Sequence, residues 1–351
     1  MTDQKPKEAD KYIPSWKPHG EHYQEALVYL KKGQQGKNQT LRTPWPKIND
    51  AGIKGWEFHS INIIGSRPGG GKTLSKDMIV HHTFAPENAD LDMRVLDFSL
   101  EMVGRNSKIR EFSAVTKRSY KYLCSAEQEG IILSDEIFNI CREHATKAAG
   151  FPIDIVDRQM TVRQFRREVI EYMKAFSKTE RRVNKQNKEV DVVIYRNTLV
   201  TIDHSVLFKK AQGQSTMDML NELGEVCTEL KKAYPIIFVI LSQLNRSITN
   251  PTRCEPNKYG NYPNDEDIFG ADALLQHADF LMIWDRPALR HIDVYGPEGY
   301  IIEDDTVLAA HILKTRTGDT RMSFFKAKFE HMTIEEMATP GVLEKPGPKV
   351  K

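Results

Sequence analysis

Residues 65–73 read Gly65-Ser66-Arg67-Pro68-Gly69-Gly70-Gly71-Lys72-Thr73. This is a phosphate-binding loop of the form G-x-x-x-x-G-K-[ST]. A triphosphate needs backbone N–H groups turned toward it, and glycines let the backbone approach that closely. Lys72 supplies a point charge for the β- and γ-phosphates, and Thr73 a hydroxyl for Mg²⁺. A helix starting here adds its positive N-terminal end. The expected nucleotide-binding set is therefore Gly65, Arg67, Pro68, Gly69, Gly70, Gly71, Lys72 and Thr73. The competing reading is a Gly-rich surface turn. Context argues against it: an apolar run, FHSINII at 58–64, reads as a buried strand, and 73–84 can be helical.

Outward from the loop, further apolar runs predict strands at 95–100, 152–156, 199–202, 236–241, 280–284 and 307–313. Helical periodicity falls between them, at about 104–117, 127–148, 161–177 and 216–233. Thr161 and Gln164 have the spacing of a capping box. Strands alternating with helices predict an α/β fold: a mainly parallel, twisted sheet covered by helices on both faces. Upstream, 1–20 is polar with several prolines and reads as extended or disordered. Residues 21–32 put Tyr23, Ala26, Leu27 and Leu30 on one helical face, too short to fold alone. Loop-like stretches follow at 178–190, 247–268 and 285–306, the first read as a charged, solvated turn. The expected division is an N-terminal segment to 20, a helix and loop over 21–50, a large domain over 51–335, and a flexible tail over 336–351.

Composition narrows the class. Of 351 residues, 40% are hydrophobic and 28% charged, an ordinary balance for a globular chain. The net charge of +2 does not announce a nucleic-acid binder, so any DNA contact must come from local patches. The cysteines, Cys124, Cys141, Cys227 and Cys254, are scattered without metal-ligand spacing, which implies a reduced, cytoplasmic compartment. No apolar run approaches ~18 residues, so no membrane span is indicated.

Strand ends supply the remaining chemistry. Asp203 closes the 199–202 run, where a Mg²⁺-holding acid belongs, because ligands sit at the carboxyl ends of parallel strands. Glu101 follows the 95–100 run and can polarise an attacking water. Asp97 is the weaker candidate, since strand alternation turns it away. Gln243, after the 236–241 run, is an uncharged amide suited to sensing a γ-phosphate. Lys314 and Arg316 lie in Lys-Thr-Arg-Thr-Gly-Asp at 314–319. Taken alone, they read as a basic turn. In a nucleotide hydrolase, an Arg there suits a transition-state finger, often delivered by a neighbouring subunit.

In order, GSRPGGGKT, FSLEM, LVTID, SQLNR, ADFLMIWDRP and KTRTGD resemble the RecA-like motor domain of DnaB-type replicative helicases over roughly residues 40–330. The resemblance implies an ATP-driven DNA helicase with Mg²⁺ as second cofactor. It implies Lys72 and Thr73 on phosphates and metal, Glu101 as catalytic base, Asp203 as Mg²⁺ acid, and Gln243 as sensor. Lys314 and Arg316 would then reach the adjacent subunit's nucleotide, Arg316 as finger. It further implies a ring, usually a hexamer, around single-stranded DNA, with a primase or helicase loader as partner. The 21–32 helix matches the linker helix that family members dock on the next subunit. Departures also show. The N-terminal primase-interacting domain is expected to be absent, as in a phage- or plasmid-encoded helicase. The loop 267–272 (DIFGAD) lacks the usual basic residue. DNA contact then falls to backbone N–H groups around Gly270, or to Arg253, Lys258, Lys209 and Lys210. The runner-up is a RecA-like DNA-dependent ATPase that does not unwind. A third class, a scaffold using nucleotide only to assemble, has no need of the full set Lys72, Glu101, Asp203 and Arg316.

Overall fold

The computed structural model describes residues 18–101, 104–125, 132–183, 187–255 and 261–343. Most of the expected extended N-terminus, and the last part of the expected tail, lie outside the described residues. The chain divides into two compact units, residues 1–39 and 40–351. The described part of the first is helix α1 (His19–Gln34), with Glu21 in its first turn and Lys31 and Lys32 in its last. That charge order suits the helix dipole. Tyr23, Leu27 and Leu30 on it are exposed.

The second unit is built on a nine-stranded sheet. In chain order its strands are β1 (Ser60–Ser66), β2 (Arg94–Ser99), β3 (Ile153–Val156), β4 (Thr198–Asp203), β5 (Ile236–Gln243), β6 (Phe280–Asp285), β7 (Val307–Thr315), β8 (Arg321–Lys328) and β9 (Thr333–Glu336). Their spatial order is β9-β8-β7-β6-β1-β5-β4-β2-β3. From β6 to β3 every pairing is parallel. From β6 to β9 every pairing is antiparallel.

Alternation along the strands sorts the core into two layers. Ile61, Ile63, Phe238 and Ile240 face one way and pack with Phe165, Val169, Leu223 and Leu230. These come from α5 (Val162–Ala175) and α6 (Thr216–Ala233). Ile64, Ile237, Val239 and Leu241 face the other way, toward Ile79 and Val80 of α2 (Lys72–His82). Helices α3 (Gly104–Thr116) and α4 (Asp135–Ala148) join α2 there. Glu111 of α3 holds His81 of α2 at 3.1 Å and also pairs with His144 of α4. Helix starts are set locally: Thr161 with Gln164, and Ser215 with Asp218, form reciprocal capping boxes.

The mainly parallel sheet with helices on both faces is present as expected. Several local expectations need correction. The sheet does not end at 307–313: β8 and β9 extend it. Their sequences, RMSFFKAK and TIEE, carry charges at one edge, so no clean apolar run marks them. The charged stretch 178–190 is not a plain turn. Lys178–Val183 and Glu189–Ile194 pair as an exposed antiparallel hairpin, with Arg181 opposite Asp191. Both faces of this ribbon are wet, so the apolar alternation that signals a strand is missing. Residues 127–131 of the helix expected at 127–148 lie outside the described residues; helix α4 begins at Asp135, where Ser134 caps it by accepting from the Ile137 N–H. A separate short helix covers Tyr120–Ser125.

Candidate nucleotide-binding site

The chain leaves β1 at Ser66 and turns directly into α2. Gly71 caps that helix with φ of 93°, a left-handed conformation that side-chained residues rarely adopt. Space at Gly70 is tight: a Cβ there would lie 3.1 Å from the Arg67 carbonyl oxygen and 2.1 Å from Ser66 Oγ, which would have to rotate. Gly65, Arg67, Pro68 and Gly69 complete the turn, held by the Gly70 N–H donating to the Arg67 carbonyl at 3.0 Å. The first-turn N–H groups of α2 are then unused by the helix and open to an anion.

Sheet register lines up the other strand ends. Ser99 stands beside Asp203, and Ser66 beside Gln243. Hence the ends of β2, β4, β1 and β5 form one rim. Lys72, itself buried, has its Nζ 3.9 Å from Glu101 Oε2. Glu101 is about half exposed and open to water. Thr73 Oγ1 faces Asp203 Oδ1 at 3.5 Å. Burial raises the Asp203 pKa to about 6, with Lys76 and Lys72 pulling it down and Asp77 and Asp97 pushing it up. A hydroxyl beside a buried, under-compensated carboxylate is a hard oxygen set that fits Mg²⁺. Among the described residues no group of three acidic, His or Cys ligands converges.

Two features here went unread in the sequence. His204 follows Asp203 with φ of 71°, and its Nε2 accepts from the Gln243 amide at 2.6 Å. Burial, then the Lys72 charge, lowers its pKa, which keeps the ring neutral and able to accept. The clue was its place next to Asp203. Beneath the rim, Lys76 is fully buried against Asp97 at 2.9 and 3.0 Å. Asp97 thus turns toward α2, not to the mouth of the loop. On the outer side of the loop, Arg286 stacks over Phe329 at 4.6 Å, and the Phe329 ring packs near Gly71.

Lys314 and Arg316 are not part of this rim. Lys314 pairs across with Leu281 near the start of β6, and Arg316 lies beyond it. Phe280, at the start of β6, stands beside Asn62. Arg316 is thus level with the beginning of β1, while the phosphate loop follows its end. At ~3.3 Å per residue, that is roughly 15–20 Å, beyond the reach of an arginine side chain. Lys314 Nζ donates to the Leu275 carbonyl at 2.6 Å. Arg316 Nε pairs with Asp279 at 3.0 Å, and its side chain is 59% exposed.

The DNA-contact candidates are dispersed. Lys209 and Lys210 are exposed. The Lys209 N–H donates to the Met160 carbonyl, and Lys210 Nζ reaches Thr216 Oγ1 at 3.5 Å. Arg253 is held by both oxygens of Asp267 and by the Tyr262 carbonyl. Its fork is occupied within the chain. Gly270 has φ of 71° and begins the short helix Ala271–Leu275, with Leu220 packed against it. Lys258 lies outside the described residues.

The family model of the DnaB-like helicase C terminal domain matches residues 41–335. The chain belongs to this family. Among solved structures it is similar to one described as an "ATPase Domain", with TM-score 0.68 and 16% identity, covering 90% of this chain and 98% of that one. It is also similar to "The Structure Of A DnaB-Like Replicative Helicase And Its Interactions With Primase", with TM-score 0.66 and 16% identity, covering 90% of this chain and 66% of that one. At such identity the likeness is one of fold, and that fold is the RecA-like ATPase core. No curated protein matches the sequence. In this DnaB-like domain the family assignment and the sheet topology agree. No helix among the described residues is long and apolar enough to cross a membrane.

Proposed function

We propose that this DnaB-like chain is an ATP-dependent, ring-shaped replicative DNA helicase. The observation that carries the proposal is a separation. Lys72, Thr73, Glu101, Asp203 and Gln243 gather at one end of the sheet, and the exposed Arg316 stands at the other, roughly 15–20 Å of strand away. A site lacking its finger in one chain is completed when a second copy brings Arg316 to it, which argues for a closed ring, a hexamer by family analogy.

In the proposed chemistry, the loop glycines, Arg67 and Pro68 cradle the phosphates, and Lys72 faces their charge. Thr73 and Asp203 would hold Mg²⁺, which would supply positive charge against the developing negative charge of the transition state. Glu101 orients and deprotonates the attacking water. Gln243, with His204 behind it, reads the γ-phosphate. Lys314 and Arg316 serve the neighbour's nucleotide, Arg316 as finger. Phe329 and Arg286 offer a planar surface beside the loop for the base.

Single-stranded DNA would run through the ring, contacted by backbone near Gly270 and by Lys209 and Lys210. Arg253 and Lys258 are the further candidates. Polarity is 5′ to 3′ by family analogy alone. Helix α1 is proposed as the linker that docks on the next subunit. A primase or loader is the proposed partner, and bacterial or phage-infected host cytoplasm the proposed location. The test is unwinding of a 5′-tailed fork with ATP and Mg²⁺, abolished by Lys72→Ala. ATP hydrolysis without unwinding at any protein concentration would instead favour the non-unwinding RecA-like ATPase.

A further inference from the structure

Asp279 precedes β6 and has no part in the nucleotide rim, yet contacts from several elements meet on it. Its N–H donates to the Ile61 carbonyl at 2.8 Å, and its Oδ2 accepts from the Ile61 N–H at 2.7 Å. Both polar backbone atoms of Ile61 are thus held at the start of β1. Oδ2 also takes the ammonium of Lys231, from the last turn of α6. That leaves Oδ1 for Arg316, whose Nε lies 3.0 Å away. The Arg316 N–H closes the arrangement on the Asp279 carbonyl at 3.1 Å.

The division of labour between the two carboxylate oxygens has a physical consequence. Oδ2 is pinned by a backbone N–H and a lysine, so the carboxylate cannot swing. Oδ1 then fixes the inner side of the Arg316 guanidinium while its outer N–H groups remain for another anion. A long side chain otherwise free to sample many rotamers is pre-aligned, which lowers the entropic cost of docking it. The anchor is also mechanical. Ile61 belongs to β1, and β1 ends in the phosphate loop. A hydrogen-bonded strand is stiff along its axis, so a shift of β1 reaches Arg316 through one side chain.

We infer that Asp279 is a positioning residue that aligns Arg316 for the neighbouring subunit's nucleotide and links it to β1, the strand ending in the chain's own phosphate loop. This rests on the reading of Arg316 as a finger acting in trans. The nucleotide state of one site is thereby coupled to the finger lent to the next.

The test uses the full chain. Asp279→Asn keeps an acceptor for Ile61 and removes the charge that holds Arg316. It should lower kcat for ATP by about tenfold to a hundredfold, leaving ATP affinity within about twofold. Asp279→Glu keeps the charge and should recover part of that loss. A Glu variant no better than Asn overturns the inference. The decisive measurement mixes each variant with excess Lys72→Ala chains, which do not hydrolyse but carry an intact Arg316. Wild-type chains diluted into the same excess set the reference. Asp279→Asn chains should regain that reference turnover, because their own loops now receive fingers from normal neighbours. Arg316→Ala chains run alongside should regain it too. If Arg316→Ala recovers and Asp279→Asn does not, the inference fails while the trans finger stands. If neither recovers, the trans reading itself fails and the inference with it.

Discussion

Replacing Lys76 by methionine isolates the charge network beneath the nucleotide rim. Lys76 is 1% exposed, and its ammonium lies 2.9 and 3.0 Å from the two oxygens of Asp97 and 3.1 Å from Asp77. Asp97 is buried as well, with Thr201 Oγ1 at 2.5 Å as its other partner. Burial pulls the Lys76 pKa down, but Asp77, Asp97 and Asp203 outweigh it, so the ammonium is held charged well above the usual lysine range. Methionine fills similar volume without the charge. It leaves Asp97 buried with one hydroxyl and a half-buried neighbour of like charge. Breaking a buried pair from one side costs ~3–5 kcal/mol, mostly the uncompensated charge. For a domain of this size that is a fall of roughly 6–10 °C in Tm, at about 2 °C per kcal/mol. Asp97→Asn in the same background keeps the bond to Thr201 and removes the stranded charge. The double variant should therefore sit well above the sum of the two singles, with a coupling of ~2–3 kcal/mol. Urea titration and thermal melts of both singles and the double measure the cycle. A Lys76→Met loss under ~0.5 kcal/mol, or a double variant equal to the sum of the singles, would refute the reasoning.

Other outcomes follow from single features. Gly70→Ala should weaken nucleotide binding in a fluorescent-nucleotide titration, since the new Cβ makes Ser66 Oγ, 2.1 Å away, rotate and presses on the Arg67 carbonyl at 3.1 Å; unchanged affinity would refute the argument from tight packing in the loop. His311 is fully buried, its Nε2 on Tyr295 OH at 2.7 Å, and burial pushes its pKa from 6.5 down to about 4. The folded state then binds fewer protons than the unfolded one between those values. Its stabilisation is complete above pH 6.5 and is lost as pH falls toward 4, by up to about 3 kcal/mol. His311→Gln should flatten that part of a stability-versus-pH curve. Thr161→Ala removes the cap in which the Gln164 N–H donates to Thr161 Oγ1 at 3.3 Å, and should cost ~1 kcal/mol in urea unfolding without changing ATP turnover.

What the sequence by itself determined is the local chemistry. The phosphate loop was readable because Gly70 and Gly71 answer steric demands within a few residues of chain. Strands β1, β2 and β4 to β7 were readable because strands buried on both faces are continuous apolar runs. The helix caps at Thr161 and Ser215 depend only on neighbours three residues away. The charged edge was not readable in this way. The 178–194 hairpin buries little, and β8 and β9 interrupt their buried residues, Phe324, Phe325, Ala327 and Ile334, with charges, so cross-strand pairing rather than an apolar run decides all of them. The same holds for the deeper parts of the site. Lys76 looks like any lysine on a helix until the sheet brings Asp97 under it. His204 gains a role only when β5 sets Gln243 beside it.

Tertiary structure alone decided which residues share an end of the sheet. The resemblance assigned Arg316 to the adjacent subunit's nucleotide but set no distance between it and Lys72 or Asp203. The antiparallel run of β7 against β6 carries it to the opposite end. Direction and register of strands are properties of the assembled sheet, because each backbone hydrogen bond joins residues whose separation along the chain carries no signal. From that register comes the separation of Arg316 from its own phosphate loop, and with it the case for a site shared between subunits.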